Sequence, residues 1–303
     1  HGHAVGVRLG AHVHHVGLAL GVEVGQRACG RSHAVVDGGE GVGNSLRHHR
    51  QMTIWKDKFR AAGTHLSLSL AVAALAAWLV FGLWYPYPYR EISGGRELFM
   101  LVTAVDVVLG PLMTLVVYNR TKSRREKLLD FSVIGALQIA ALCYGLWTVA
   151  QSRPVHMVFG YDRFLVAHAA DIERGSLERA PPGLRTLPWT GPTPISLRPL
   201  VGQEKFDVVM AELGGVPAAV RPELWQSYEA DRDSVLKAAK PAAELMQRFP
   251  AQSADIERVL KGTGRPTEGL GYVPLQGRKE QFWTVIIDRQ SADVLAFLPL
   301  DSF

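Results

Sequence analysis

Asp106 is the residue whose type and setting first point to chemistry. It is the single charged side chain in residues 98–118 (LFMLVTAVDVVLGPLMTLVVY). A carboxyl group inside hydrocarbon costs a few kcal/mol on insertion scales, so it must face protein or water rather than lipid. Three uses are open to it: glue between helices, recognition of a polar or cationic group on a partner helix, or a step in a proton or ion path. A single central carboxylate provides no relay for the last. Pro111, just after Gly110, lacks an amide hydrogen and frees the carbonyl of Val107 one turn back. Gln138 falls at the same depth on the next, antiparallel apolar run, and its amide is expected to donate to that carbonyl. Thr114 belongs to the same polar set. Cys143 is expected to be a small packing residue.

Other reactive side chains are sparse. Eight of the eleven histidines lie in residues 1–51, with eleven of the thirty glycines and no Lys, Pro, Ile, Thr, Phe, Tyr or Trp. Such a segment cannot offset its ordering entropy, so it is expected to lack structure, and Met52 is expected to be the start. His12, His14 and His15, or His48 and His49, have the composition of a metal-binding tract. Beyond residue 150 only His156 and His168 remain, with no cysteine and no nucleophile-elbow, phosphate-loop or metal-spacing motif. Asp231 and Asp233 read as a solvated helix face. No catalytic residue, metal ligand or cofactor is expected. Two cysteines, Cys29 and Cys143, exclude a disulfide scaffold and a Cys-based zinc site.

The elements that must hold Asp106 are three apolar runs: 66–85, 98–118 and 131–150. Each is long enough to cross about 30 Å of hydrocarbon as a helix. Lys56, Lys58 and Arg60 precede the first, and Arg120, Lys122, Arg124, Arg125 and Lys127 crowd the link between the second and third. The link at 86–97 balances Arg90 and Arg96 with Glu91 and Glu97. Retention of Lys and Arg on the cytoplasmic side therefore places residues 52–65 inside and residues 151–303 outside, in a periplasm if the cell has one. The formal net charge of +5 comes from the leader and these short flanks. No folded segment is strongly basic, which excludes nucleic acid as a partner.

The outer segment reads as α+β. A hairpin is expected at the membrane exit, with strands around 155–159 and 164–166 and a turn at 160–162 that Asp162 and Arg163 cap; Arg153 is placed at the headgroups. The proline-rich stretch 181–199 is expected to be an irregular loop. Helices are expected at 203–213, at 222–239 beginning on Pro222, at 242–248, and at 256–261 with Ser253 as its cap. Strands follow at 272–275, 282–288 and 294–298, the last two joined by 289–293. The terminal strands are expected to share one sheet. The predicted architecture is an α-helical membrane bundle of three transmembrane helices (66–150) followed by an α+β extracytoplasmic domain (151–303).

Three segments, DVVLGPLMTLVVYNR (106–120), QIAALCYGLWTVAQSRPVHMVFGYDRF (138–164) and YVPLQGRKEQFWTVIIDRQSADVLAFLPL (272–300), together resemble the TfpX/TfpZ family of type IV pilin accessory proteins. The resemblance covers residues 52–303. It implies an inner-membrane protein that assists pilus assembly or display as a pilin-specific chaperone or assembly factor. Its implied partners are a type IV pilin subunit, the assembly machinery and membrane lipid. The positions matching the motif are Asp106, Gly110, Pro111, Gln138, Tyr144, Gly145, Arg153, Pro154, Asp162 and Arg163, expected as structural or partner-contacting residues. The competing readings are a pilin-modifying membrane enzyme and a membrane sensor with a ligand-binding outer domain.

Overall fold

The computed structural model describes residues 40–117, 122–278 and 281–303, with side chains from Trp55 onward. Expectations for His12, His14 and His15, for the side chains of His48 and His49, and for Tyr118 and Arg120 lie outside the described residues. Helix α1 (Glu40–Leu79) begins before residue 52, so residues 40–51, expected to lack structure, continue the helix. It ends in a widened π-helical turn, Val80–Trp84, just before Pro86. The short helix α2 (Tyr89–Ile92) lies in the link to α3 (Gly95–Val117), which carries Pro111 internally. Helix α4 (Arg124–Gln151) starts on a reciprocal cap: the Ser123 hydroxyl accepts from the Glu126 amide, and the Glu126 carboxylate from the Ser123 amide. Three helical segments, Trp55–Trp84, Gly95–Val117 and Arg124–Gln151, are long and apolar enough to cross a membrane.

The chain then enters an eight-stranded mixed sheet. Strands β1 (Pro154–Gly160) and β2 (Arg163–His168) form the expected hairpin. Its turn places Tyr161 in the left-handed region, at φ 62°. The loop expected at 181–199 instead contains β3 (Thr193–Leu197), parallel to β1. Pro194 is tolerated because β4 (Trp225–Ser227) pairs only with Ile195, Ser196 and Leu197, so no ladder bond is required of the proline on that side. Helix α5 (Glu204–Leu213) follows as expected.

The single helix expected at 222–239 is broken. Pro222 opens a short 3-10 turn, β4 follows, and only Arg232–Ala238 is helical (α6). Trp225 decides this: it is almost fully buried and its indole N–H donates to the Ala219 carbonyl at 3.0 Å, which the extended β4 backbone permits. Strand β5 (Lys240–Pro241) and helices α7 (Ala243–Arg248) and α8 (Ser253–Gly262) come next. Ser253 lies inside α8; the flanking residue is Gln252, whose side chain makes no capping bond.

Strands β6 (Leu270–Gln276), β7 (Phe282–Asp288) and β8 (Val294–Leu298) close the domain as an antiparallel meander. The strand order is β4-β3-β1-β2-β6-β7-β8, and β2 pairs in parallel with β6, so the first and last strands do share one sheet. One face packs Phe159, Phe164, Val273 and Val285 with Tyr228, Val235 and Ile92. Alternating residues on the opposite face meet Val208, Leu224 and Trp225 at one end and α7 and α8 at the other.

Candidate functional site

The three spans meet around a polar clasp. His65, in the first half of the Trp55–Trp84 span, reaches both other spans: Nδ1 lies 2.6 Å from the Thr114 hydroxyl on α3, and Nε2 lies 2.7 Å from Gln138 Oε1 on α4. Gln138 Nε2 in turn donates to the backbone carbonyl of Asp106 at 3.2 Å. That donation fixes the amide orientation, so His65 Nε2–H donates to Oε1, while Nδ1 pairs with the Thr114 hydroxyl. The acceptor is the carbonyl of Asp106, not that of Val107 expected from the Pro111 argument. Thr114 is fully buried.

Glycine makes the clasp possible. A Cβ on Gly110 would lie 2.1 Å from Gln138 Nε2 and 3.0 Å from His65 Nε2. Gly145 similarly lets α4 approach α3, since its Cβ would fall 2.5 Å from Val102 Cγ1.

Beside the clasp, a groove of about 580 Å³ opens between the spans, and His65 and Gln138 form part of its lining. Leu68, Val72, Ile139 and Leu142 form much of its wall, and Asp106 lines it. The Asp106 carboxylate has no hydrogen-bond or ion-pair partner among the described residues. Asp106, Gly110 and Gln138 are thus brought together, and Pro111 follows directly in α3. Tyr144 and Cys143 are exposed on the outside of α4, so Cys143 is not the interior packing residue expected.

The other expected residues lie elsewhere. Arg153, just past the end of α4, is covered by protein: it is 5% exposed, donates to the carbonyls of Ala150 at 2.7 Å and Pro188 at 3.2 Å, and stacks 4.4 Å from the Trp189 ring. Burial lowers its pKa from the usual guanidinium value. Pro154 is buried beside it as the first residue of β1. Asp162 and Arg163 pair at 2.8 Å in the hairpin turn, one strand length away, about 20 Å. They form a separate structural pair.

His156 and His168 are both absorbed by the fold. His156 Nδ1 meets the Thr193 hydroxyl at 2.8 Å, and burial pushes its pKa down to about 4. His168 lies 3.5 Å from Asp171. Hydrogen bonding to His168, and then to Arg278, holds the Asp171 carboxyl down at about 2. No group of three His, Cys, Asp or Glu side chains able to hold a metal occurs among the described residues.

Sequence reading missed His65. It precedes the uncharged run that begins at residue 66 and was counted with the cytoplasmic flank. The available signal was that Ala61, Ala62, Gly63 and Thr64 carry no charge either, so the run without Asp, Glu, Lys or Arg reaches back past His65 to residue 61.

Comparison with known proteins bears on the chain as a whole. A profile described as fimbrial assembly protein FimB matches residues 53–94, the first span and the link after it. A fimbrial assembly protein of serogroup I from Dichelobacter nodosus is 34% identical over 246 residues, covering 80% of this chain and 95% of the relative. The chain belongs to the fimbrial assembly protein family. A serogroup E1 member from the same organism is 32% identical over the same shares of both chains. The protein of serogroups C1 and C2 is 40% identical over 121 residues, which is 40% of this chain and 92% of that relative. No solved structure matches the chain.

Proposed function

We propose that this member of the fimbrial assembly family is an inner-membrane accessory of type IV pilus assembly, of the TfpX/TfpZ kind, that receives a pilin subunit while the subunit still sits in the membrane. The observation that carries the reading is near full-length similarity to proteins named for fimbrial assembly, in a chain with three apolar spans and an attached outer domain. The Lys and Arg flanks support a cytoplasmic N-terminus and a periplasmic sheet domain. A chaperone or assembly factor needs matching surfaces rather than a reaction centre. The names of its relatives as fimbrial assembly proteins favour a non-enzymatic role.

The outer domain has a face suited to the soluble part of the same subunit. On α5, Phe206, Val209, Met210 and Leu213 are all exposed, at the i, i+3, i+4, i+7 spacing of one helical stripe. Glu212 of α5 and Tyr161 of the hairpin turn line one cleft, so the stripe lies about 20 Å from the membrane exit by the length of β1. In this reading the soluble part of the subunit, rather than lipid, covers the stripe.

The deciding experiment deletes the gene, counts pili and measures the intact mass of the subunit. The expected outcome is loss of pili with the subunit mass unchanged. A changed mass would replace the reading with that of a modifying enzyme, and an unchanged pilus count would end it.

A further inference from the structure

We propose that the intramembrane groove is a docking site for one membrane-spanning helix of a second protein, an apolar helix carrying a cationic or hydrogen-bond-donating group at mid-depth, which the carboxylate of Asp106 binds. The identity of the second protein as the pilin subunit rests on the assembly reading above; the chemistry of the site does not.

Asp106 is the midpoint of α3, eleven residues from each end, Gly95 and Val117, or about 16 Å from either boundary. Its short side chain cannot reach either interface, unlike the long stems of Lys and Arg. It also does not hold the bundle together. Contact among the three spans at this level is made by His65, Thr114 and Gln138, and Asp106 contributes only its backbone carbonyl. The carboxylate is left lining an open apolar groove.

A lipid chain could fill that volume but would leave the carboxyl group in hydrocarbon without a donor, at a cost of about 3 kcal/mol on insertion scales. A helix with a complementary donor removes that cost and matches the shape. Small side chains from the first and third spans, Ala61, Ser69, Ala73 and Gly135, line the groove, and small residues permit close approach of another backbone. Charge complementarity and shape therefore select the same occupant.

The test uses the full-length protein in bilayer vesicles with two labelled model helices, twenty residues of Leu and Ala, one with a central Lys and one without. Energy transfer to a dye on the outer domain reads association. The Lys-bearing helix is expected to bind about tenfold tighter, a coupling of the size measured for intramembrane polar pairs. The preference is expected to disappear in Asp106→Asn, which keeps the side-chain shape. In cells, a photo-crosslinker at Leu142 in the groove is expected to capture a membrane protein, whereas one at the exposed Leu137 does not.

Equal binding of the two helices, a preference that survives Asp106→Asn, or capture of lipid alone from Leu142 overturns the proposal. If pili depend on this protein but the groove captures nothing, docking fails and the assembly reading stands. If a protein other than the subunit is captured, docking stands and the assembly reading loses its client.

Discussion

At the scale of single residues, the membrane region divides its polar side chains into two jobs. Thr114, Gln138 and His65 satisfy one another across three spans, while Asp106 is left to face the groove. Removing one clasp member strands the others. Gln138→Leu leaves His65 Nε2–H without its acceptor, and His65→Ala leaves the buried Thr114 without its partner. Either change is expected to lower bundle stability by about 1 kcal/mol, the range found for polar contacts between membrane helices. Unfolding in mixed micelles checks this, and a midpoint equal to wild type for both variants would remove the clasp from the account. Asp106→Asn is expected to leave that midpoint unchanged, which separates the two jobs.

At the scale of elements, the link between the first two spans is built into the outer domain. Ile92 of α2 is fully buried in the sheet core. The Tyr89 hydroxyl points at Met157 Sδ, 3.3 Å away, and its ring lies edge-on to Phe297, centroids 5.8 Å apart. The Gly191 amide donates to the Leu83 carbonyl at 2.6 Å, and the Arg278 amide to the Ile92 carbonyl at 3.3 Å. Gly277 is the tight point, because a Cβ there would lie 1.9 Å from Ile92 Cγ2 and 2.8 Å from the Ile92 carbonyl. Gly277→Ala is expected to push the link off the sheet at a cost of about 1–3 kcal/mol. Limited proteolysis at residues 86–94 should then speed up while the sheet stays intact; an unchanged rate would show that the contact yields without undocking.

Some elements were legible in the sequence because their signals are local. The hairpin β1–β2, helix α5 and the closing meander each follow from alternation, turn residues and caps within a few positions. β3 and β4 were not. The prolines around β3 read as a loop, since only the tertiary pairing puts Pro194 beyond the end of β4. Residues 222–239 carry a helical pattern that burial of Trp225 overrides.

At the scale of the whole molecule, docking of the 86–94 link on the sheet puts that link and residues 154–303 on the same side of the three spans. The start of the first span at Trp55 and the start of α4 at Arg124 fall on the other side. Under the proposed orientation the sheet is periplasmic. A cysteine introduced as Tyr161→Cys at the exposed hairpin turn is expected to react with an impermeant maleimide once the outer membrane is opened. Ser123→Cys is expected to react only after the inner membrane is broken, and the reverse pattern would invert the topology.

Three spans, their charge asymmetry, the α+β class of the C-terminal segment and the place of Asp106 inside the second span follow from sequence alone, because each depends on composition or on spacing along one element. Where the carboxylate faces is visible only in the folded structure, which sets it in the lining of a groove while His65, Thr114 and Gln138 bond across the spans. Glue and partner recognition place the same residue at the same depth and differ in what lies across from it, which is set by chain positions far apart. His65, 73 residues from Gln138, supplies the bond that frees Asp106 from holding the helices together.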